Sequence, residues 1–200
     1  MFNELNLKKM KKLFVLKAFV IAFIALLGLS LTSCNDDKYE PIPVKIGDEN
    51  GKYRAKLITK QGNNRTEKII DFVAKDSVIT YKEFPVKEIV MTVLEDEAKT
   101  NVALDAMGDI EYKLDFTPKL LAEQNVIELE LEPKVMTLQI PVDGQTKTAV
   151  VTFTANEKGY YVGQDFSMRY GFVADKITVD GADLTPFEKI EYSFPYSLKY

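Results

Sequence analysis

The chain has 200 residues, 26 basic and 30 acidic, with one cysteine, no histidine and no tryptophan. The missing histidine excludes His-based triads, His-ligated zinc and the usual switch near neutral pH, and a single cysteine excludes a disulfide within the chain. The net charge of −4 argues against nucleic acid and against charge-driven binding to anionic membranes.

The first 33 residues read as a secretory leader. Lys8, Lys9, Lys11, Lys12 and Lys17 form a basic region, and Ala18 to Leu31 is an uncharged run of fourteen residues. A signal-peptide apolar region spans about 7–15 residues and a spanning helix needs about 20. Met10 is a second plausible start. The run ends in Leu31-Thr32-Ser33-Cys34, which resembles the lipobox of bacterial lipoproteins. Thr32 and Ser33 are small enough to enter a peptidase site, and the Cys34 thiol can carry a thioether-linked lipid. Two or more acyl chains anchor a protein stably, at roughly 0.8 kcal/mol per buried CH₂. Asn35, Asp36 and Asp37 follow, an acidic stretch that resembles the surface-export signal of Bacteroidetes lipoproteins. These residues predict an outer-membrane protein anchored by lipid and facing the cell surface, with the membrane as a partner.

Residues 34–46 read as the lipidated cysteine and a tether, made extended by Pro41 and Pro43. The leader holds five lysines and one glutamate, which leaves 21 basic and 29 acidic residues in the mature 167-residue chain. Residues 47–200 fit one domain.

Period-two alternation dominates that domain. Tyr53, Ala55 and Leu57 alternate with Lys52, Arg54 and Lys56. The pattern recurs over 110–116, 127–132, 136–142, 149–155, 166–172 and 190–200. In the last segment Ile190, Tyr192, Phe194, Tyr196, Leu198 and Tyr200 are expected to share one face. Strands with one apolar face form antiparallel sandwiches or barrels. Gly62-Asn63-Asn64, Asp143-Gly144, Glu157-Lys158-Gly159 and Asp180-Gly181 read as turns between strands. Pro195 has no N–H, so the last strand is an edge or carries a bulge. Val86, Ile89, Val90, Val93 and Leu94 follow helical spacing instead, which predicts a helix over 85–96 and a second over 98–107. The expected fold is mainly β, an antiparallel β-barrel or β-sandwich with one or two short helices.

Few residues suggest chemistry. Glu95-Asp96-Glu97 and the Asp175, Asp180 and Asp183 group are acidic clusters, but a glycosidase needs two carboxyls facing each other across a cleft. Asp180-Gly181-Ala182-Asp183 lacks the spaced acids of a calcium loop. No phosphate loop, dinucleotide fingerprint or nucleophile elbow appears, so no metal, cofactor or catalytic residue is assigned. Tyr192, Phe194, Tyr196 and Tyr170 could line a cavity, or pack as core.

With its leader, Phe84-Pro85-Val86 ahead of an apolar segment, and Tyr192-Ser193-Phe194-Pro195, the chain resembles small Bacteroidetes outer-membrane lipoproteins, in particular the family called domain of unknown function 4840. Some related lipoproteins look like calycins, and Gly51-Lys52-Tyr53 stands where lipocalins have Gly-x-Trp. The expectation is a non-enzymatic binding or accessory module whose partner is a small ligand, a glycan or an envelope protein. A calycin-like carrier of an apolar ligand is the alternative, and a carboxylate-dependent glycan hydrolase ranks last.

Overall fold

The computed structural model describes residues 42–155 and 157–200. The leader, Leu31 to Ser33, Cys34 and Asn35 to Asp37 lie outside these residues.

Eleven strands form the sheet system. They are β1 (Gly51–Gln61), β2 (Asn64–Lys75), β3 (Val78–Tyr81), β4 (Tyr112–Leu121), β5 (Val126–Pro133), β6 (Met136–Val142), β7 (Gln145–Thr154), β8 (Gly159–Val162), β9 (Ser167–Val179), β10 (Ala182–Asp183) and β11 (Ile190–Lys199). Two helices, α1 (Lys87–Leu94) and α2 (Glu97–Met107), interrupt the chain between β3 and β4. Both expected helices are present, α1 beginning two residues after Pro85. Asp96 caps α2 by accepting the Lys99 N–H at 2.9 Å.

Eight strands close a barrel in the order β1-β2-β3-β4-β5-β8-β9-β11, with β11 pairing back onto β1. Every pairing is antiparallel and, β6, β7 and β10 aside, each strand neighbours the next in sequence. Closure removes most of the edges a sandwich would leave. The extra pair β6–β7 arises because 126–142 and 145–162 make one long kinked hairpin. Its outer part, β5 and β8, sits in the wall, and its inner part, β6 and β7, turns away and pairs with the far half of β9. The turn at Asp143-Gly144 has φ of 51° and 75°, and that at Asp180-Gly181 has 50° and 85°. These left-handed pairs suit tight hairpins, which is why Asx-Gly predicted them.

Pro195 produces a bulge. Between Phe194 and Ser197, β11 holds one more residue than its partners β1 and β9. A bulge resets the alternation. Ile190, Tyr192 and Phe194 point inward, but beyond the bulge Ser197 takes the inner face, and Tyr196, Leu198 and Tyr200 are exposed. The expected single face of six residues is therefore two half-faces on opposite sides of the wall.

The interior is filled by rings. Tyr53, Phe72, Tyr81, Phe84, Tyr112, Phe153, Tyr170, Phe172, Tyr192 and Phe194 form one connected stack with neighbouring centroids 4.5–6.3 Å apart. Phe84 belongs to no strand; the segment before α1 carries it into the stack, and its N–H donates to the Ile110 carbonyl at 2.7 Å. Behind it, Ile89, Val90 and Val93 of α1 are buried, so this helix packs with the core at that end of the barrel.

Candidate functional site

The four residues expected to line a cavity do not lie together on one. Tyr170, Tyr192 and Phe194 are buried in the ring stack, while Tyr196 stands outside the wall, 41% exposed. The bulge at Pro195 is the physical reason for the separation.

The buried hydroxyls are handled unequally. Tyr53 donates to the Glu49 carbonyl at 2.6 Å, Tyr112 to the Lys134 carbonyl at 2.9 Å, and the Tyr81 and Tyr170 hydroxyls share a hydrogen bond of 2.5 Å. The Tyr192 hydroxyl makes none among the described residues. An unmade hydrogen bond costs more than a missing group. Tyr192→Phe is therefore expected to leave stability unchanged or raise it by about 1 kcal/mol, whereas Tyr170→Phe strands the Tyr81 hydroxyl and costs about 1–3 kcal/mol. Urea unfolding of both variants checks the contrast, and equal losses would contradict it.

The acidic clusters have structural jobs. Asp96 is the α2 cap. Glu95 ends α1 in a left-handed conformation. Asp175 pairs with Lys189, Asp183 pairs with Lys176 at 2.8 Å, and Asp180 accepts the Thr148 N–H at 2.8 Å. Among the described residues no three His, Cys, Asp or Glu side chains form a group able to hold a metal ion.

The outer wall and one seam in it are more distinctive. Where β3 is short, β2 loses its neighbour: it pairs with β1 along its whole length but with β3 only over Val73–Lys75. From Asn64 to Phe72 no other backbone hydrogen bond reaches it among the described residues. Both hairpins flanking β2 have two-residue loops, Gly62-Asn63 and Asp76-Ser77, whose closing pairs are hydrogen-bonded. Asn64 is thus bonded toward β1 and Lys75 toward β3. By alternation, Arg65, Glu67, Ile69 and Asp71 aim their main-chain N–H and C=O at the open seam. Two clefts lie along it and share Lys68 and Glu83. The larger, about 530 Å³, is lined by Arg54, Ile69, Phe72, Thr80, Lys82 and Tyr200 among others. The second, about 430 Å³, runs under Pro85 and Glu88 of the α1 approach.

The larger cleft continues into an aromatic and cationic surface. Arg169 lies over the Tyr196 ring and Arg54 over the Tyr200 ring, each 5.6 Å from the centroid. Lys56 stands between Tyr196 and Ile69, opposite one on each neighbouring strand, and Tyr160 stands opposite Arg169. Arg54 forks onto Asp71 with bonds of 2.9 and 3.0 Å, which holds the carboxyl below its usual range. Lys56 pairs with Glu67 and Arg169 with Asp165. Tyr and Arg are among the side chains most enriched at the centres of protein interfaces.

Little in the sequence points to this surface: alternation along 190–200 puts Tyr196 and Tyr200 inside, and no strand is expected between 64 and 81. The signals for it are Pro195 and the adjacent Ile69-Ile70, which puts one isoleucine outside.

The family model described as Domain of unknown function (DUF4840) matches residues 48–179. No curated protein and no solved structure compared with the chain matches it.

Proposed function

Since the chain belongs to the DUF4840 family, whose activity is unknown, we propose its role from the site alone: a non-enzymatic binding module, lipid-anchored through Cys34 at the outer membrane. On this reading it faces the cell surface, and its partner is an envelope protein that adds an extended segment to the open edge of β2. The observation that carries the reading is the unpaired seam from Asn64 to Phe72 beside a cleft walled by Ile69, Arg54 and Tyr200. Strand addition uses main-chain hydrogen bonds for affinity and side-chain pockets for selectivity. An interior crowded with rings leaves the surface as the place to bind. The edge carries Arg65 and Lys68, the usual deterrents to indiscriminate pairing.

The test is a photoreactive side chain at position 69 of the protein in its native cells. The expected result is a discrete adduct to one envelope protein, absent when the probe sits at the exposed position 113 of β4. Adding Glu67→Pro, which removes an edge donor that an edge strand can spare, should abolish the adduct. An adduct that survives Glu67→Pro, or none at position 69, would overturn the reading. Recovery of an unmodified Cys34 by intact-mass measurement would overturn the anchor.

A further inference from the structure

We propose that the barrel end opposite the helices is a bilayer-contacting face, which presses exposed apolar side chains into a membrane containing anionic phospholipid. The inference rests on lipid anchoring at Cys34 and extends it from a tether to an orientation. In an up-and-down barrel alternate connections share an end. The entry to β1, the β2–β3, β4–β5 and β8–β9 turns, and the end of β11 therefore lie together.

Large apolar groups are exposed there: Ile42 and Ile46 before β1, Leu120 near the β4–β5 turn and Phe166 in the β8–β9 turn. They are held on neighbouring loops. Asn125 donates through Nδ2 to the Ile42 carbonyl at 3.1 Å and accepts the Val44 N–H through Oδ1 at 2.7 Å. The Val44 side chain fills the space over Gly163, where an added Cβ would come within 2.0 Å of it. Phe166 is the telling residue. It is 56% exposed and adopts a φ of 54°, a conformation costly for a bulky side chain. A solvated turn has no use for either feature, and glycine or asparagine would serve it better.

Charge follows the same axis. Lys45, Lys75 and Lys119 are exposed at this end and form no ion pair among the described residues. Of the acids beside them, Asp48 and Glu49 accept the main-chain N–H groups of Lys45 and Gly47, and Asp165 is taken by Ser167 and Arg169. Asp76 and Glu123 are exposed. At the helix end, residues 82–111 hold eight acids against three lysines. The acidic excess of the chain is thus concentrated away from this face.

Chain length sets the direction. Ile42 lies eight positions after Cys34, a reach of at most about 29 Å at roughly 3.6 Å per residue. A β-strand of 10–13 residues, the length of most wall strands, runs about 33–43 Å, which a barrel tilt near 40° turns into a height of about 25–33 Å. The anchored end can touch the bilayer on a slack tether, whereas the acidic end reaches it only with the tether drawn nearly straight, which costs chain entropy.

The absence of tryptophan makes a direct test available. Full-length lipidated protein carrying Phe166→Trp, and separately Val102→Trp on exposed α2, is reconstituted into phosphatidylethanolamine–phosphatidylglycerol vesicles with brominated acyl chains. Quenching of the indole at position 166 by about twofold or more, with a blue-shifted emission, is expected. The indole at position 102 should be unaffected. No quenching at position 166 in protein shown to be vesicle-bound, or equal quenching at both positions, would overturn the orientation while leaving the anchor intact. Protein that fails to join the vesicles because Cys34 is unlipidated would overturn the anchor, and the orientation with it.

Discussion

Raising the pH above 10 is expected to unfold the barrel in one steep step. Burial raises the ionisation of Tyr53, Tyr81, Tyr112, Tyr170 and Tyr192 above the ordinary value of 10.0. For Tyr81 and Tyr170, the shared hydroxyl contact leaves no room for a second negative charge beside the first. A raised folded-state value means the native protein keeps protons that the unfolded chain gives up. The stabilisation is fully present below pH 10 and is lost as the pH climbs toward the folded-state values. Each such tyrosine withdraws about 1.4 kcal/mol per pH unit in that window. Five together would erase the roughly 5–15 kcal/mol of a typical domain within one to three units. Tyrosinate absorbance and the loss of near-ultraviolet circular dichroism should therefore rise together. Ionisation of all five while the sheet signal persists would show that the interior admits water or hydroxide.

The second large effect is expected from Phe84→Ala. Phe84 touches as much of the stack as Phe172 of the wall does, although it belongs to no strand and enters from the end. Its ring lies 5.0 Å from those of Tyr112 and Tyr192, 5.4 Å from Tyr81 and 6.0 Å from Phe172. Only 3% of it is exposed. Truncating a buried phenylalanine costs about 3–5 kcal/mol, part lost transfer energy and part cavity. For a domain of this size that lowers the melting temperature by about 6–20 °C. Phe84→Leu should recover part of the loss, since it refills volume without restoring ring-to-ring contact. The variant also bears on the proposed site, because Phe84 lies beneath the second seam cleft. Weaker strand capture in step with the stability loss is the expected companion result.

Much of the fold is legible in short stretches of sequence. Alternation in 52–57, 110–116 and 127–132 identifies wall strands, and in 136–142 it identifies β6 beside the wall, because each has one dry and one wet face. Helical spacing identifies α1, and Asp-Gly identifies two hairpins through its tolerance of positive φ. β2 escapes because Asn64–Ile69 is exposed throughout and has no alternation to read. β3 escapes because four residues are too few. The candidate site escapes for the same reason: an unpaired edge is defined by a neighbour that ends early, and no local pattern in β2 records where β3 stops.

By itself the sequence determined the class of fold, the position of the helices and of four turns, and the exclusion of histidine and disulfide chemistry, since each depends on residue type and local spacing. Tertiary structure alone decided three further matters: that the sheet closes into a barrel, that Tyr196 and Tyr200 stand outside it, and that loops distant in sequence gather Ile42, Leu120 and Phe166 at one end. Closure, bulge phase and loop clustering depend on which strands find each other across many intervening residues. That choice is made by the packing energy of the whole ring stack, to which each short stretch of sequence contributes only a part.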